Sequence, residues 1–262
     1  MQCVRPGSDM KQTEDGAVLQ QFYEINTPSE WDFFLGPVNY HYHCGVEGPS
    51  PNIFENAIYA NVFPFIADRS SVLDCGCGWG APAEMLTQQK KCKVTCVTNS
   101  TYQADFIKKN RKGLRVLTED LNCFKPARRY DVALLHESLC HVKEQDYLLK
   151  NLFAVADNIL IVDHVVRHVP EFFREGWLMQ IFNTEGLANK VTNSGYKIQH
   201  IHNSGEDFII PTAKYWKSRL DQLQPKYGQL KTLWEVDIPL MFETAKSSSG
   251  SELCVIYASK NL

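Results

Sequence analysis

The stretch "VLDCGCGWGAP", residues 72–82, sets an acid, Asp74, directly ahead of glycines at 76, 78 and 80. Glycine lacks a Cβ, so such a loop can turn tightly and bring its backbone close to a ligand. Two cofactor classes use something close to this pattern. One holds a dinucleotide through its pyrophosphate. The other carries an ammonium and a sulfonium and no phosphate. Asp74 discriminates between them, because a carboxylate repels a pyrophosphate and attracts a cation. Its competing use is to cap the turn that follows.

Further polar groups recur at intervals that suit the same ligand. "TEDL" (118–121) places Asp120 and Leu121 after an apolar run, where an acid can accept the exocyclic amine of an adenine. "YDVALLHESLCHV" (130–142) supplies Asp131, His136, Glu137 and His141, which the sequence pattern assigns to the end of a fourth strand. Glu137 and His141 stand four residues apart, a spacing that shares one face if the turn is helical. A histidine titrates near neutrality, so His141 is the better base, with Glu137 orienting it or the acceptor, or offsetting a developing cation. The bland alternative makes Glu137 a helix cap and His141 a core residue.

The elements that must position these groups alternate. "SSVLDCG", "CKVTCVT", "LRVLTED", "YDVALLH" and "NILIVDHVV" read as strands, separated by helical stretches such as "TYQADFIKKNRKG" and "KEQDYLLKNLFAVA". Strands that are almost continuously apolar, interleaved with helices, imply a parallel sheet covered on both faces. Pro82 suits the start of a helix. Beyond Val166 the pattern loosens into helices "PEFFREGWLMQIF", "TEGLANKVTNSG" (stopped at Gly195), "TAKYWKSRLDQLQ" and "LKTLWEVDIPLMFETAK", with strands "YKIQHIHNSG" and "ELCVIYAS". Ahead of the glycine motif, residues 1–16 read as a flexible tail and residues 17–66 as a helical cap around an aromatic, histidine-rich loop. The predicted core spans 67–262, with a lid over about 167–245.

Composition narrows the classes. The chain has 262 residues, 44% apolar and 22% charged, with a net charge of −3. These values suit a globular domain with a sizeable core and no nucleic-acid field. No apolar run approaches the roughly 20 residues of a membrane span, and the polar amino terminus predicts a cytoplasmic protein. Nine cysteines include no C-x-x-C pair, so reduced core thiols are expected and no metal site.

On these motifs the chain resembles the class I S-adenosylmethionine-dependent methyltransferases, from about Phe22 to the carboxyl end. The closer similarity is to small-molecule methyltransferases related to the isoprenoid C-methylating, tocopherol and cyclopropane fatty acid enzymes. It runs through "FYEINTPSEWDFFLGPVNYHYHCG", "KVTCVTNSTYQ" and "HESLCHV". The resemblance implies a Rossmann-like, doubly wound, mostly parallel seven-stranded sheet, with an N-terminal helical cap and a lid inserted in the C-terminal half. It implies S-adenosylmethionine as cofactor. Asp74, Gly76, Gly78 and Gly80 would hold its methionyl end, Asp120 and Leu121 its adenine, and His136 would join them. Many members grip the ribose with an acid after the second strand; this chain has Thr98 and Asn99, with Gln103 nearby. In cyclopropane-forming and some N-methylating relatives a glutamate precedes the histidine of the fourth-strand segment, whereas here the residue is Cys140.

The acceptor pocket is expected from aromatic side chains, which favour a sulfonium and wall in an apolar acceptor. Tyr23, Tyr40, Tyr42 and His43 are assigned to its near wall. Phe173, Trp177, Tyr215 and Trp216 are assigned to the opposite lid, where Arg167 could receive an anion. The expected function is methyl transfer to carbon or oxygen, ahead of nitrogen, on a small, largely apolar natural-product-type metabolite. O-methylation of a carboxylate, including a peptide's carboxyl end, would fit the same residues. A nicotinamide-dependent dehydrogenase and a non-catalytic cofactor-binding protein are the readings from other classes. Small-molecule or short-peptide acceptors are the expected partners, with no nucleic acid and no membrane span.

Overall fold

Five short runs rich in Val, Ile, Leu and Cys form the parallel part of one sheet: β1 (Ser71–Cys75), β2 (Lys93–Thr98), β3 (Arg115–Thr118), β4 (Tyr130–His136) and β5 (Ala156–Val166). In a computed structural model of the chain, β6 (Lys197–Asn203) and β7 (Ser251–Ser259) complete seven strands in the order β3-β2-β1-β4-β5-β7-β6. The structure describes residues 28–166, 182–203, 206–223 and 250–260, together with Glu235, Ile238 and Pro239. β7 is antiparallel to both β5 and β6, and the remaining pairs are parallel. The doubly wound, mostly parallel sheet expected from the sequence is therefore present. The expected helices at 170–182 and 230–246 fall largely outside the described residues.

Helices α1 (Pro28–Leu35) and α2 (Ile53–Asn61) precede the sheet, α3 (Ala81–Gln89) and α4 (Thr101–Asn110) cross between its first strands, and α5 (Gln145–Val155), α6 (Thr184–Asn193) and α7 (Glu206–Leu223) follow. Their starts are set by local chemistry. Asn52, Ser100 and Asn183 each accept a hydrogen bond from an amide of the first turn of α2, α4 and α6, satisfying donors that the helix cannot. Gly195, with φ +110°, turns the chain after α6, as its position in the sequence suggests.

Side chains alternate across each strand, so the sheet feeds two cores. Leu73, Leu135, Ile159 and Ile161 pack with Leu148, Leu149, Leu152 and Leu187 on one face. Val72, Leu134, Leu160 and Val255 pack with Ile58, Leu86, Ile107 and Phe208 on the other. A third cluster is aromatic and joins the N-terminal helices to α7: Trp31, Phe34, Phe54, Trp79 and Trp216. Tyr42 stacks on Trp216 at 5.3 Å, and the amide of Gly45 donates to the Thr212 hydroxyl at 2.7 Å.

Arg111, at the end of α4, ties this aromatic layer to the glycine loop. Its Nε donates to the carbonyl of Trp79 at 2.6 Å, its second amino group to the carbonyl of Asn39 at 2.8 Å, and it pairs with Glu84. It is 4% exposed, so its loss strands a carboxylate and two carbonyls away from water. Arg111→Met is expected to destabilise the chain by about 3–5 kcal/mol, read as a lower urea midpoint by tryptophan fluorescence; an unchanged midpoint would refute this linkage.

Candidate active site

The carboxyl ends of β1, β2, β3 and β4 open into a cleft. Gly76, Gly78, Thr98, Asn99, Gln103, Asp120, Leu121, Glu137 and His141 all line it, with Glu119, Asn122, Ser138 and Val142. Ligands of open α/β sheets bind outside these strand ends, and the structure brings most of the sequence-predicted cofactor and catalytic residues together there.

The three glycines of the motif have different reasons. Gly76 has φ +81°, and a Cβ on it would lie 2.4 Å from Cβ of Ser138. The hydroxyl of Ser138 donates to the carbonyl of Cys75 at 2.6 Å, so β1 and the turn after β4 approach too closely for a side chain. Gly80 has φ +75° and packs against Ile107 and Arg111, away from the cleft. Gly78, φ +52°, has nothing within 4 Å of where its Cβ would stand. That open space is where a ligand can approach the backbone.

Asp74 lies behind this loop, 2% exposed, and its Oδ2 has no hydrogen-bond partner among the described residues. Burial raises its pKa to about 7. A buried carboxylate oxygen without a donor fits an ammonium. Across the cleft, Asp120 accepts from both the backbone and the side-chain amide of Asn122, each at 2.9 Å, while Asn122 accepts from the amides of Lys143 and Glu144. The Thr98 hydroxyl donates to Oε1 of Gln103 at 2.7 Å, which leaves the buried Nε2 of Gln103 without a partner among the described residues. These groups could hold the ammonium, adenine and ribose of a nucleoside cofactor.

The pair expected to be catalytic, Glu137 and His141, is arranged differently from the helical face expected. Glu137 has φ +50°, a left-handed conformation rare outside glycine, and His141 ends a short 3-10 turn, Leu139–His141. Both still reach the cleft. The Glu137 carboxylate accepts the backbone N–H of Cys44 at 2.7 Å and meets His164 Nε2 at 3.1 Å. Burial alone would raise its pKa, but the hydrogen bond and charge of His164, with smaller contributions from His136 and His43, hold it down to about 2. Burial likewise opposes the charge on His164, and its contacts to the Cys44 sulfur and to Glu137 carry its pKa well above the ordinary value.

A file of neutral histidines backs this pair. His43 Nδ1 must donate to the Cys44 carbonyl at 2.8 Å, so its Nε2 accepts from His41 Nδ1 at 2.8 Å. His41 Nε2 is then a buried acceptor with no partner among the described residues. His136 sits behind the cleft beside His43, 4.4 Å between ring centroids, and burial holds its pKa down to about 3. The donor atoms of His43, His136 and Glu137, and of Cys44, Glu137 and His164, lie within 4.8 Å of one another, but both nitrogens of His43 and both oxygens of Glu137 are spent on hydrogen bonds, so the cluster is a hydrogen-bonded network around one carboxylate.

Other expectations change. Asp131 lies at the opposite end of β4, accepting from the amide of Ser71 at 2.6 Å, because it begins the strand. Tyr40 bonds Asp32 and packs on Phe106 at 4.3 Å and Trp79 at 5.5 Å, so it is a packing residue of the aromatic layer and does not line the cleft. Tyr42, Tyr215 and Trp216 belong to that layer too. Tyr23, Arg167, Phe173 and Trp177 lie outside the described residues. Sequence reasoning missed Cys44 and His164; the unabsorbed polar pair Asp163–His164 inside an apolar strand was the signal for the second.

The fold and this cleft are those expected of the class I S-adenosylmethionine-dependent methyltransferases, and the groups gathered there suit S-adenosylmethionine. Residues 72–158 match the family model of the methyltransferase domain. The (S)-coclaurine N-methyltransferase of Thalictrum flavum subsp. glaucum is 37% identical over 177 residues, 60% of this chain and 49% of that protein. The (S)-tetrahydroprotoberberine N-methyltransferase of Eschscholzia californica is 33% identical over 108 residues, 38% of this chain and 31% of that one. The chain thus spans about half the length or less of these curated relatives. Among solved structures, coclaurine N-methyltransferase bound to N-methylheliamine and S-adenosylhomocysteine superposes with a TM-score of 0.77 at 20% identity, covering 96% of this chain and 84% of that one. A mycobacterial cyclopropane synthase gives 0.74 at 15% identity, covering 94% and 98%. At these identities the structural likeness speaks for the fold.

With Asp74 as the partner of the cofactor's ammonium, binding is expected to depend on pH. An ammonium binds the ionised carboxylate, so affinity for S-adenosylhomocysteine should rise with pH through about 7, level off above it, and fall about tenfold per pH unit below it. Calorimetry should show Asp74→Asn binding weakly at every pH without that slope. A flat profile for the unaltered chain would remove Asp74 from the site.

Proposed function

We propose that the chain transfers the methyl group of S-adenosylmethionine to a nitrogen of a small, largely apolar metabolite. The observation that carries this reading is the Glu137 carboxylate, met by the Cys44 amide and His164, in the same cleft as His141 and the glycine loop. The alkaloid N-methyltransferases among the relatives support nitrogen, and they do not favour the carbon or oxygen acceptors expected from the sequence. In this reading Asp74 and the glycine loop hold the methionyl end, Asp120 and Leu121 the adenine, and Asn99 or Gln103 the ribose.

The cofactor supplies a methyl group on a sulfonium, ready for in-line displacement. The chain's work is alignment and exclusion of water. An amine bound as its ammonium cannot attack, so a proton must leave before the lone pair is free, and His141 is placed to take it. Glu137 attracts that ammonium and offsets the positive charge that passes from sulfur to nitrogen. Its anchoring by Cys44 and His164 keeps the charge from reorganising during transfer.

The test is a screen of secondary and tertiary amines, phenols and carboxylic acids with S-adenosylmethionine, read by mass spectrometry. Methylated amines are expected; methylated phenols or acids alone would replace nitrogen by oxygen. Glu137→Gln and His141→Ala are each expected to lower kcat/KM by about 100-fold, with cofactor affinity kept within about twofold. Wild-type turnover in both variants would refute the assignment.

A further inference from the structure

We propose that His164, which does not line the cleft, is a positioning residue that aims the Glu137 carboxylate at the acceptor, braced by Asp163. The inference rests on the reading of Glu137 given above. Its basis is the way β5 meets the turn after β4. The amide of Glu137 donates to the carbonyl of Val162 at 2.7 Å, which carries the strand pairing one residue past β4 into the left-handed position. From the next residues of β5, Asp163 accepts the amide of Cys140 at 3.0 Å through one oxygen and the amide of His164 at 2.8 Å through the other. His164 Nε2 then meets Glu137 Oε2 at 3.1 Å.

Two oxygens of one carboxylate are therefore fixed from two sides, Oε1 by the Cys44 amide and Oε2 by His164. A non-glycine residue at φ +50° persists only where its surroundings hold it, and these contacts hold it. Asp163 is 2% exposed and secures both the histidine and the turn that carries His141. The titratable groups around Glu137 are His43 and Cys44 from the loop before α2, His136 from β4, His164 from β5, and His141 on the same cleft. His136 Nε2 stands 3.8 Å from Oε1, beyond hydrogen-bond reach, so it does not substitute for His164.

Two variants separate positioning from bulk structure. His164→Gln keeps an N–H donor without the charge, and His164→Leu removes both. Without His164, burial is left to raise the Glu137 pKa, so protonation intrudes as pH falls and activity gains an acid limb that rises with pH. The apparent pKa of that limb should increase in the order wild type, His164→Gln, His164→Leu. At neutral pH kcat should drop about 100-fold in His164→Leu and be substantially rescued in His164→Gln, with the affinity for S-adenosylhomocysteine unchanged. Infrared difference spectra, with Glu137→Gln to assign the band, should show a protonated carboxyl at neutral pH in His164→Leu and none in the wild type. That readout needs no turnover, so it decides the positioning even if the acceptor screen fails. If His164→Leu does not fold, the pH profile and spectrum of His164→Gln carry the test. A wild-type pH profile with an ionised Glu137 in the folded variants would overturn the proposal.

Discussion

A carboxylate removed from water must be met by donors, and the burial of Glu137 decides how three separate parts of this chain come together. Its side chain is 9% exposed. The loop before α2 supplies a backbone N–H, β5 supplies an imidazole, and the turn after β4 adopts a conformation that L-residues avoid. Each is a modest contribution, and an unpaired charge at this place would cost more than any one of them returns. The loop before α2, the turn after β4 and the fifth strand are thereby fitted to one carboxylate.

The same reasoning separates the glycines, which the motif presents as equals. Only Gly78 faces open space toward the cleft; Gly76 is required by Ser138 and Gly80 by the packing of α4. The close approach of β1 to the turn after β4, closed by the Ser138 hydroxyl on the Cys75 carbonyl, places the glycine loop and the turn that carries Glu137 in fixed relation. Two pieces of the site that look independent along the chain are one rigid unit in space.

The fold was legible because parallel strands buried on both faces leave continuous apolar runs, and β1 to β5 lie where those runs lie. Much of the cleft was legible for a related reason: strand order and polarity bring the residues just past β1, β2, β3 and β4 to one edge. Asp131 was misplaced because polarity alone does not say which end of a strand an acid occupies. Glu137 and His141 were read as a helical pair from spacing, and a left-handed residue followed by a 3-10 turn brings them to the same cleft without a helix. Tyr40 was assigned to a pocket by its type and is spent on packing. Cys44 was invisible because its contribution is an amide, 93 residues from its acceptor.

That last contact has an evolutionary consequence. Every amino acid except proline carries a backbone N–H, so the anchor on Oε1 of Glu137 survives any substitution small enough for the buried space at position 44. The thiol is held to its place by burial and by its contact with His164, while the grip on the carboxylate belongs to the main chain alone. Half of the support for the carboxylate is thus written in the path of the chain and leaves no trace in residue identity, whereas the other half, an imidazole, is exposed to selection at every mutation of position 164.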